Sequence, residues 1–157
     1  MIIKKLTLYN FGVYAGINTF EFTCKHPIVL IGGMNGRGKT TFLEAILLAL
    51  YGSNSIAYKE SRYKSYSQYL RAYTTKESSS QESYVEIEFE TTEAEKDIYL
   101  VKREWNTLTK RTNEKVYVFQ NGVYSEFLTN NWTMFVENIL PSALSSFYFF
   151  DGEKIAE

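Results

Sequence analysis

The N-terminal part of the chain alternates hydrophobic and polar residues in the manner of two short β-strands. Residues 2–9 place Leu6 and Leu8 on one face, and residues 19–23 alternate in the same way. The connection formed by residues 10–18 is rich in residues that favour turns. This order predicts an antiparallel hairpin at the start of the fold.

A second run of alternation, in the middle of the chain, predicts an antiparallel meander. Residues 84–90 place three hydrophobic side chains on one face and glutamates on the other, and residues 97–104 and 115–119 repeat the pattern. The pair Asn121-Gly122 then predicts a tight hairpin turn, followed by a return strand through Phe127. These strands should form a sheet with one solvated face.

Hydrophobic spacing predicts two helices. Residues 41–51 are apolar nearly all round, which predicts a buried helix, and Gly52 stands where a helix-capping glycine belongs. Hydrophobic residues from Trp132 to Leu140 recur at helical intervals and predict an amphipathic helix that Pro141 ends.

Two further segments differ from their surroundings. The apolar runs at residues 28–31 and 147–150 predict short core strands. Serine, tyrosine, lysine and glutamine dominate residues 53–83, which predicts an excursion from the core with a short helix near residues 62–72.

Composition narrows the class of protein only slightly. The chain has 157 residues, enough for one domain with its own core, and its 17 basic and 18 acidic residues nearly cancel. The lone Cys24 has no disulfide partner, and it cannot build a metal site with His26, which is also single. No apolar run has the length of a membrane span and the start does not resemble a signal peptide, so we expect a soluble, cytoplasmic protein with no membrane partner.

The most specific motif is Gly-Met-Asn-Gly-Arg-Gly-Lys-Thr at residues 33–40, an uninterrupted G-x-x-x-x-G-K-T. Its glycines allow successive backbone N–H groups to surround a phosphate chain. Lys39 adds a positive charge for the β- and γ-phosphates, and the Thr40 hydroxyl is a suitable Mg²⁺ ligand. A glycine-rich turn that matches by chance is the alternative, but a predicted strand precedes the motif and a predicted helix follows it, as phosphate binding requires.

Other residues leave alternatives open. Asp151 and Glu153 follow the predicted strand at 147–150, so they would either face the bound nucleotide or form a polar strand end. Phe11 and Tyr14 would pack in the core or stack on a base. The basic region comprises five residues that would form a solvated face or contact a nucleic-acid backbone, namely Lys102, Arg103, Lys110, Arg111 and Lys115.

Several stretches together resemble SMC-type ABC ATPases of the RecF, RecN and DNA break-repair class. They are Leu-Tyr-Asn-Phe-Gly at the end of the first predicted strand, the glycine-rich motif, and Phe-Phe-Asp-Gly-Glu-Lys-Ile at residues 149–155. The last of these is most similar to the DndD family, ATPases of bacterial DNA phosphorothioation and its associated defence systems. The resemblance covers both ends of the chain and is weak in residues 53–130. The resemblance implies an α/β fold. Residues 1–157 would form a single N-terminal lobe of a P-loop ATPase head, which is incomplete without the rest of the head. The lobe would contain a mixed sheet with an antiparallel meander and a buried helix after the Walker A loop.

The resemblance also implies a set of ligands and binding residues. ATP would contact the Walker A loop, and Mg²⁺ would bind Thr40 and Asp151, the latter at a position where related ATPases usually carry glutamine. The nucleotide-binding residues implied in this way are Gly33, Asn35, Gly36, Arg37, Gly38, Lys39, Thr40 and Thr41.

The same resemblance implies partners that complete the site. They are a second ATPase head in a homodimer, a C-terminal lobe, DNA and other phosphorothioation proteins. The 157 residues contain no Walker B carboxylates and no Leu-Ser-Gly-Gly signature, so we expect them to be one part of a longer or split ATPase and to be inactive alone. Two alternatives remain: an SMC-like ATPase of DNA repair or anti-phage defence outside phosphorothioation, and a non-catalytic lobe whose nucleotide orders a dimer.

Overall fold

A six-stranded antiparallel sheet forms the centre of the computed structural model, which describes residues 1–22, 37–76, 80–91 and 95–145. Each strand pairs with its neighbours in the spatial order β2-β1-β3-β4-β5-β6. The strands are β1 (Ile2–Phe11), β2 (Tyr14–Glu21), β3 (Glu82–Glu90), β4 (Ile98–Asn106), β5 (Lys115–Gln120) and β6 (Val123–Tyr124).

The N-terminal hairpin has a much shorter connection than the sequence predicts. Strands β1 and β2 pair antiparallel, as predicted, but only Gly12 and Val13 separate them. The predicted loop at residues 10–18 is therefore wrong: most of it is strand. Gly16 resembles a turn residue in sequence, but it lies in the edge strand β2, where its φ of 69° accompanies the register shift opposite Asn10 and favours glycine.

The predicted antiparallel meander is confirmed. The position of β3 between two other strands explains why hydrophobic and polar residues alternate so regularly in it. Strand β3 pairs with β1 on one side and β4 on the other, and Val85, Ile87 and Phe89 are fully buried. Asn121 and Gly122 form the predicted turn with φ values of 51° and 82°.

The return strand ends earlier than predicted. Strand β6 stops at Tyr124, so the prediction through Phe127 is wrong. Ser125 is the reason, because its hydroxyl accepts a hydrogen bond from the Leu128 amide and caps the next helix.

The described part of the chain contains four helices. The long helix α1 is buried over most of its length and packs against β1, β3 and β4, while α4 buries Leu128, Trp132 and Val136, as its amphipathic pattern predicts. Short 3₁₀ turns follow α1 and α4. The helices are α1 (Arg37–Tyr51), α2 (Ile56–Lys59), α3 (Tyr66–Tyr73) and α4 (Glu126–Ile139).

The segment predicted as an excursion is partly built into the core. In α3, Tyr69 and Leu70 are fully buried, and the Trp105 indole donates hydrogen bonds to the Leu70 carbonyl and the Thr74 hydroxyl. The prediction of a segment outside the core is therefore wrong for α3. The helix begins later than the predicted residue 62 because the Ser65 hydroxyl caps it.

Some predicted elements lie outside the described residues. The apolar runs at 28–31 and 147–150 belong to this group, so the mixed sheet stays a prediction; every strand pairing among the described residues is antiparallel. Leu144 lies in a 3₁₀ turn. Among the described residues, no helix combines the length and apolarity needed to cross a membrane.

Candidate nucleotide-binding site

Helix α1 begins inside the glycine-rich motif, at Arg37. Of Arg37, Gly38 and Lys39 only the helical backbone is described; Thr40 is exposed and Thr41 is 6% exposed. The first amides of a helix have no partner within the helix and carry its positive dipole end, which favours an anion there. The remaining predicted ligands lie outside the described residues: Gly33, Asn35, Gly36 and Asp151.

The turn of the N-terminal hairpin packs against Thr41, the fifth residue of α1. A Cβ atom at Gly12 would lie 2.4 Å from the Thr41 Cγ2 atom, so only glycine allows this approach. The Gly12 amide donates to the Tyr73 carbonyl at 2.7 Å, and the Thr75 hydroxyl donates to the Gly12 carbonyl at 2.9 Å. The hairpin turn is therefore held between the start of α1 and the end of α3.

Asn10 organises this hairpin, a role that the sequence pattern did not reveal. It is fully buried with φ of 48°, and its side-chain oxygen accepts from the Gly16 amide at 2.7 Å. Its carbonyl accepts from the Thr75 amide at 2.9 Å and the Ser83 hydroxyl at 2.8 Å. Asparagine tolerates the left-handed region better than most residues, and an asparagine two residues before a glycine was the available signal.

The structure decides the role of Phe11. Its ring is fully buried, stacks on Tyr73 with centroids 5.0 Å apart and meets Trp105 edge-on at 6.1 Å. Phe11 is therefore a core residue, and the packing interpretation is confirmed for it.

Tyr14 belongs to a different cluster of aromatic rings. It meets Phe20 edge-on at 5.7 Å, and Phe20 meets Phe42 of α1 in the same geometry at 5.1 Å. Burial raises the pKa of Tyr14. These rings connect the hairpin to the helix, and base stacking by Tyr14 stays a prediction.

A hydrogen bond joins the first half of α1 to α3. The Tyr73 hydroxyl donates to the Glu44 carboxylate, one turn beyond Thr40. Burial, followed by this hydrogen bond, raises the pKa of Tyr73 well above its ordinary value. Tyr73 therefore stays protonated, and a donor, across the physiological pH range.

The C-terminal end of α1 is fixed by side chains from the sheet and from α4. Arg103, 5% exposed, donates from Nε to the Ala49 carbonyl at 3.0 Å and forms an ion pair with Glu114 at 2.8 Å. The Trp132 indole donates to the Leu50 carbonyl at 2.9 Å. The last carbonyls of a helix need such partners, and a cation there also complements the helix dipole. Contacts at both ends therefore fix the position of α1.

The predicted basic region does not form one surface. Arg103 points into the core together with Val101 and Trp105 because alternate residues of β4 face inward. Lys102 lies 3.7 Å from Glu104 and over the Tyr84 ring. Both alternatives, a solvated face and contact with a nucleic-acid backbone, are therefore wrong for Arg103. The exposed members of the set are Lys110, Arg111 and Lys115.

The predicted Mg²⁺ ligands are Thr40 and Asp151, of which Thr40 is among the described residues. The described residues contain no group of three or more histidine, cysteine, aspartate or glutamate side chains that could hold an ion. A Mg²⁺ ion bound to a nucleotide needs few protein ligands, since phosphates and water supply the others. The predicted roles of Thr40 and Asp151 remain predictions.

An antiparallel sheet and a buried helix that begins in a G-x-x-x-x-G-K-T motif together fit an SMC- and Rad50-like ATPase lobe. The family model described as an AAA domain matches residues 5–156, and the chain belongs to that family.

Two curated relatives share a shorter region. The chain is 50% identical over 48 residues to the C subunit of the nuclease SbcCD from Treponema pallidum (strain Nichols), which is 31% of this chain and 5% of the relative. It is 43% identical over 53 residues to the protein of that name from Vibrio cholerae serotype O1 (strain ATCC 39315 / El Tor Inaba N16961), 32% of this chain and 5% of the relative. The matches thus span about a twentieth of each relative's length.

Proposed function

We propose that this chain is the ATP-binding N-terminal lobe of an SMC-like ATPase that acts on DNA. The observation that carries the proposal is the position of α1. It begins within the glycine-rich motif, contacts the hairpin and α3 through Thr41 and Glu44, and is held at its end by Arg103 and Trp132. A phosphate group bound by the motif would meet the positive end of this helix.

The nucleotide would be held by residues 33–41. Lys39 would neutralise phosphate charge and Thr40 would bind Mg²⁺, with Asp151 as a second metal ligand from the far end of the chain. The hairpin turn at Gly12 would support this loop indirectly, because it packs on Thr41 at the base of the site.

Hydrolysis would require parts beyond these residues. A water-positioning carboxylate and a signature motif would come from a C-terminal lobe and a second copy of the head, so the 157-residue chain would bind ATP without turning it over. The cycle of head closure and opening would then act on bound DNA.

Within this class we assign the chain to DndD-type ATPases of DNA phosphorothioate modification or restriction, where it would work with the other proteins of that system. The ending at residues 149–155 supports this assignment. The second candidate is the ATPase component of an SbcC-type nuclease, which the similarity to the two SbcCD proteins favours.

Host DNA distinguishes the two candidates. Nuclease digestion followed by mass spectrometry should detect dinucleotides linked by phosphorothioate in the organism that carries this gene. Their absence from a host with the gene intact and expressed would contradict the DndD assignment and leave the SbcC-type nuclease as the candidate.

The experiment that tests ATP binding compares two lysine variants by thermal unfolding. At an ATP concentration about 100 times Kd, binding should stabilise the wild type by about 2.7 kcal/mol. For a chain of this size, that raises Tm by about 5–10 °C. Lys39→Ala should abolish this shift. Lys59→Ala, which removes an exposed lysine from the end of α2, should preserve it. An equal shift in Lys39→Ala and wild type would refute the site.

A further inference from the structure

A groove lined by two cationic side chains lies at the opposite end of the β3–β4 pair from their connecting loop. Its volume is about 810 Å³, and it runs between α3, residues 80–81 before β3, and Thr107, which follows β4. Two cations and no carboxylate occur among the described residues that line it. The lining residues include Tyr63, Gln68, Arg71, Lys76, Ser80 and Gln81.

Hydrogen bonds hold the loop after β4 against α3, beside this groove. Arg71 donates from Nη1 to the Thr109 carbonyl at 2.7 Å and to the Thr112 hydroxyl at 3.2 Å, and the Thr112 amide donates to the Ser67 hydroxyl at 2.8 Å. The same loop carries Lys110 and Arg111, both exposed. The cations of the loop and those of α3 are therefore brought to one side of the molecule.

This side is basic although the chain as a whole is not. The net charge of the chain is −1, but residues 55–77 contain five lysines or arginines and two carboxylates, Glu60 and Glu77. Within the part of the chain that the structure describes, the ion pairs involve Lys4, Lys102 and Arg103. The cations around the groove thus keep their charge uncompensated by a neighbouring carboxylate of the described residues.

The Arg71 guanidinium has a fixed orientation that favours the binding of an anion. Both of its described hydrogen bonds go to uncharged oxygens from one nitrogen, Nη1, and they fix the orientation of the planar group. A guanidinium held in this way loses little side-chain entropy when it binds a phosphate.

We infer that this groove binds the sugar–phosphate backbone of DNA. Arg71 and Lys76 supply charge for phosphates, and Gln68, Ser80 and Gln81 supply uncharged groups of the kind that contact backbone oxygens. The exposed Tyr63 ring suits contact with a sugar or a base. The choice of DNA rests on the proposed function, whereas the charge of the groove does not.

The test compares two triple variants that each remove three positive charges. One is Lys76→Gln with Lys110→Gln and Arg111→Gln, all exposed residues. The matched control is Lys5→Gln with Lys96→Gln and Lys102→Gln. Lys5 and Lys102 are half-buried residues of β1 and β4, and the exposed Lys96 lies in the loop between β3 and β4, away from the groove. Circular dichroism and Tm verify that both variants are folded.

Fluorescence anisotropy with a labelled 20-base-pair duplex measures the result at 50 and 150 mM salt. The groove variant should bind the duplex at least about tenfold more weakly than wild type. The slope of log K against log salt should become shallower by about 2–3, because each phosphate contact contributes about 0.9 to that slope. The control should bind like wild type. The inference would be overturned if both variants bound the duplex equally weakly, or if both bound it as tightly as wild type. A polyglutamate peptide of matched charge that binds as tightly as the duplex would also overturn it.

Lys39→Ala separates this inference from the proposed function. This variant should no longer bind ATP but should still bind the duplex. The groove variant should bind the duplex weakly but should still bind ATP. A chain that binds the duplex through the groove but never binds ATP would refute the proposed function alone. A chain that binds ATP but whose groove variant retains the duplex would refute the groove alone.

Discussion

The contact between Gly52 and Arg103 gives a sharp prediction about what fixes the end of α1. Gly52 follows the helix with φ of 57°, and a Cβ atom there would lie 2.5 Å from Arg103 Nη1 and 2.8 Å from Cζ. Gly52→Ala would therefore push the guanidinium away from Glu114 and from the Ala49 carbonyl.

The magnitude has two parts. An alanine in the left-handed region costs about 1–2 kcal/mol by itself. Breaking a buried ion pair costs about 3–5 kcal/mol, and we use about 2 kcal/mol because Glu114 keeps 17% of its side chain exposed and can be solvated. The sum is about 3–4 kcal/mol for Gly52→Ala. Gly122→Ala provides the matched control, since Gly122 has φ of 82° and open space around it, and should cost about 1–2 kcal/mol.

Urea denaturation of both variants measures the difference as a change in midpoint at constant slope. A double-mutant cycle with Arg103→Met identifies its source: in that background Gly52→Ala should cost no more than Gly122→Ala does. Equal destabilisation by Gly52→Ala and Gly122→Ala in the otherwise wild-type chain would refute the reasoning.

Two more predictions concern the hairpin and the sheet. Gly12→Ala should displace the hairpin turn from Thr41 and weaken ATP binding about tenfold, about 1.4 kcal/mol, whereas Gly16→Ala, in open space, should leave calorimetrically measured affinity unchanged. Burial raises the pKa of Glu86, although Lys102 and Lys5 oppose this. Folding therefore favours its protonated form, and its contribution to stability falls as pH rises through its unfolded-state and then its folded-state pKa. Glu86→Gln should stabilise the protein at pH 7 and not at pH 3, and urea midpoints that shift equally at both would contradict this.

The parts of the fold that the sequence predicts well are those where local pattern and burial agree. Strand β3 lies between two neighbours and buries one face, so its alternation is nearly perfect, and the amphipathic spacing of α4 reflects one buried face in the same way. Strand β2 lies at an edge and buries little. Its Gly16 and Asn18 therefore resembled a loop.

The candidate site was only partly predictable, for a different reason. The glycine-rich motif indicates phosphate chemistry because its residues are adjacent in sequence. Gly12 and Thr41 come together only through tertiary packing, as do Arg103 and the end of α1. Arg103 looked like a surface cation because arginine is usually exposed, and only its β4 register reveals that it faces the core.

Equilibrium titration of the 157-residue chain with ATP in the presence of Mg²⁺ tests the central claim most directly. We expect one ATP to bind per chain in the wild type and in Lys59→Ala, and none to bind in Lys39→Ala at the same concentrations. Equal binding by all three proteins, or binding by none of them while all remain folded, would contradict the account.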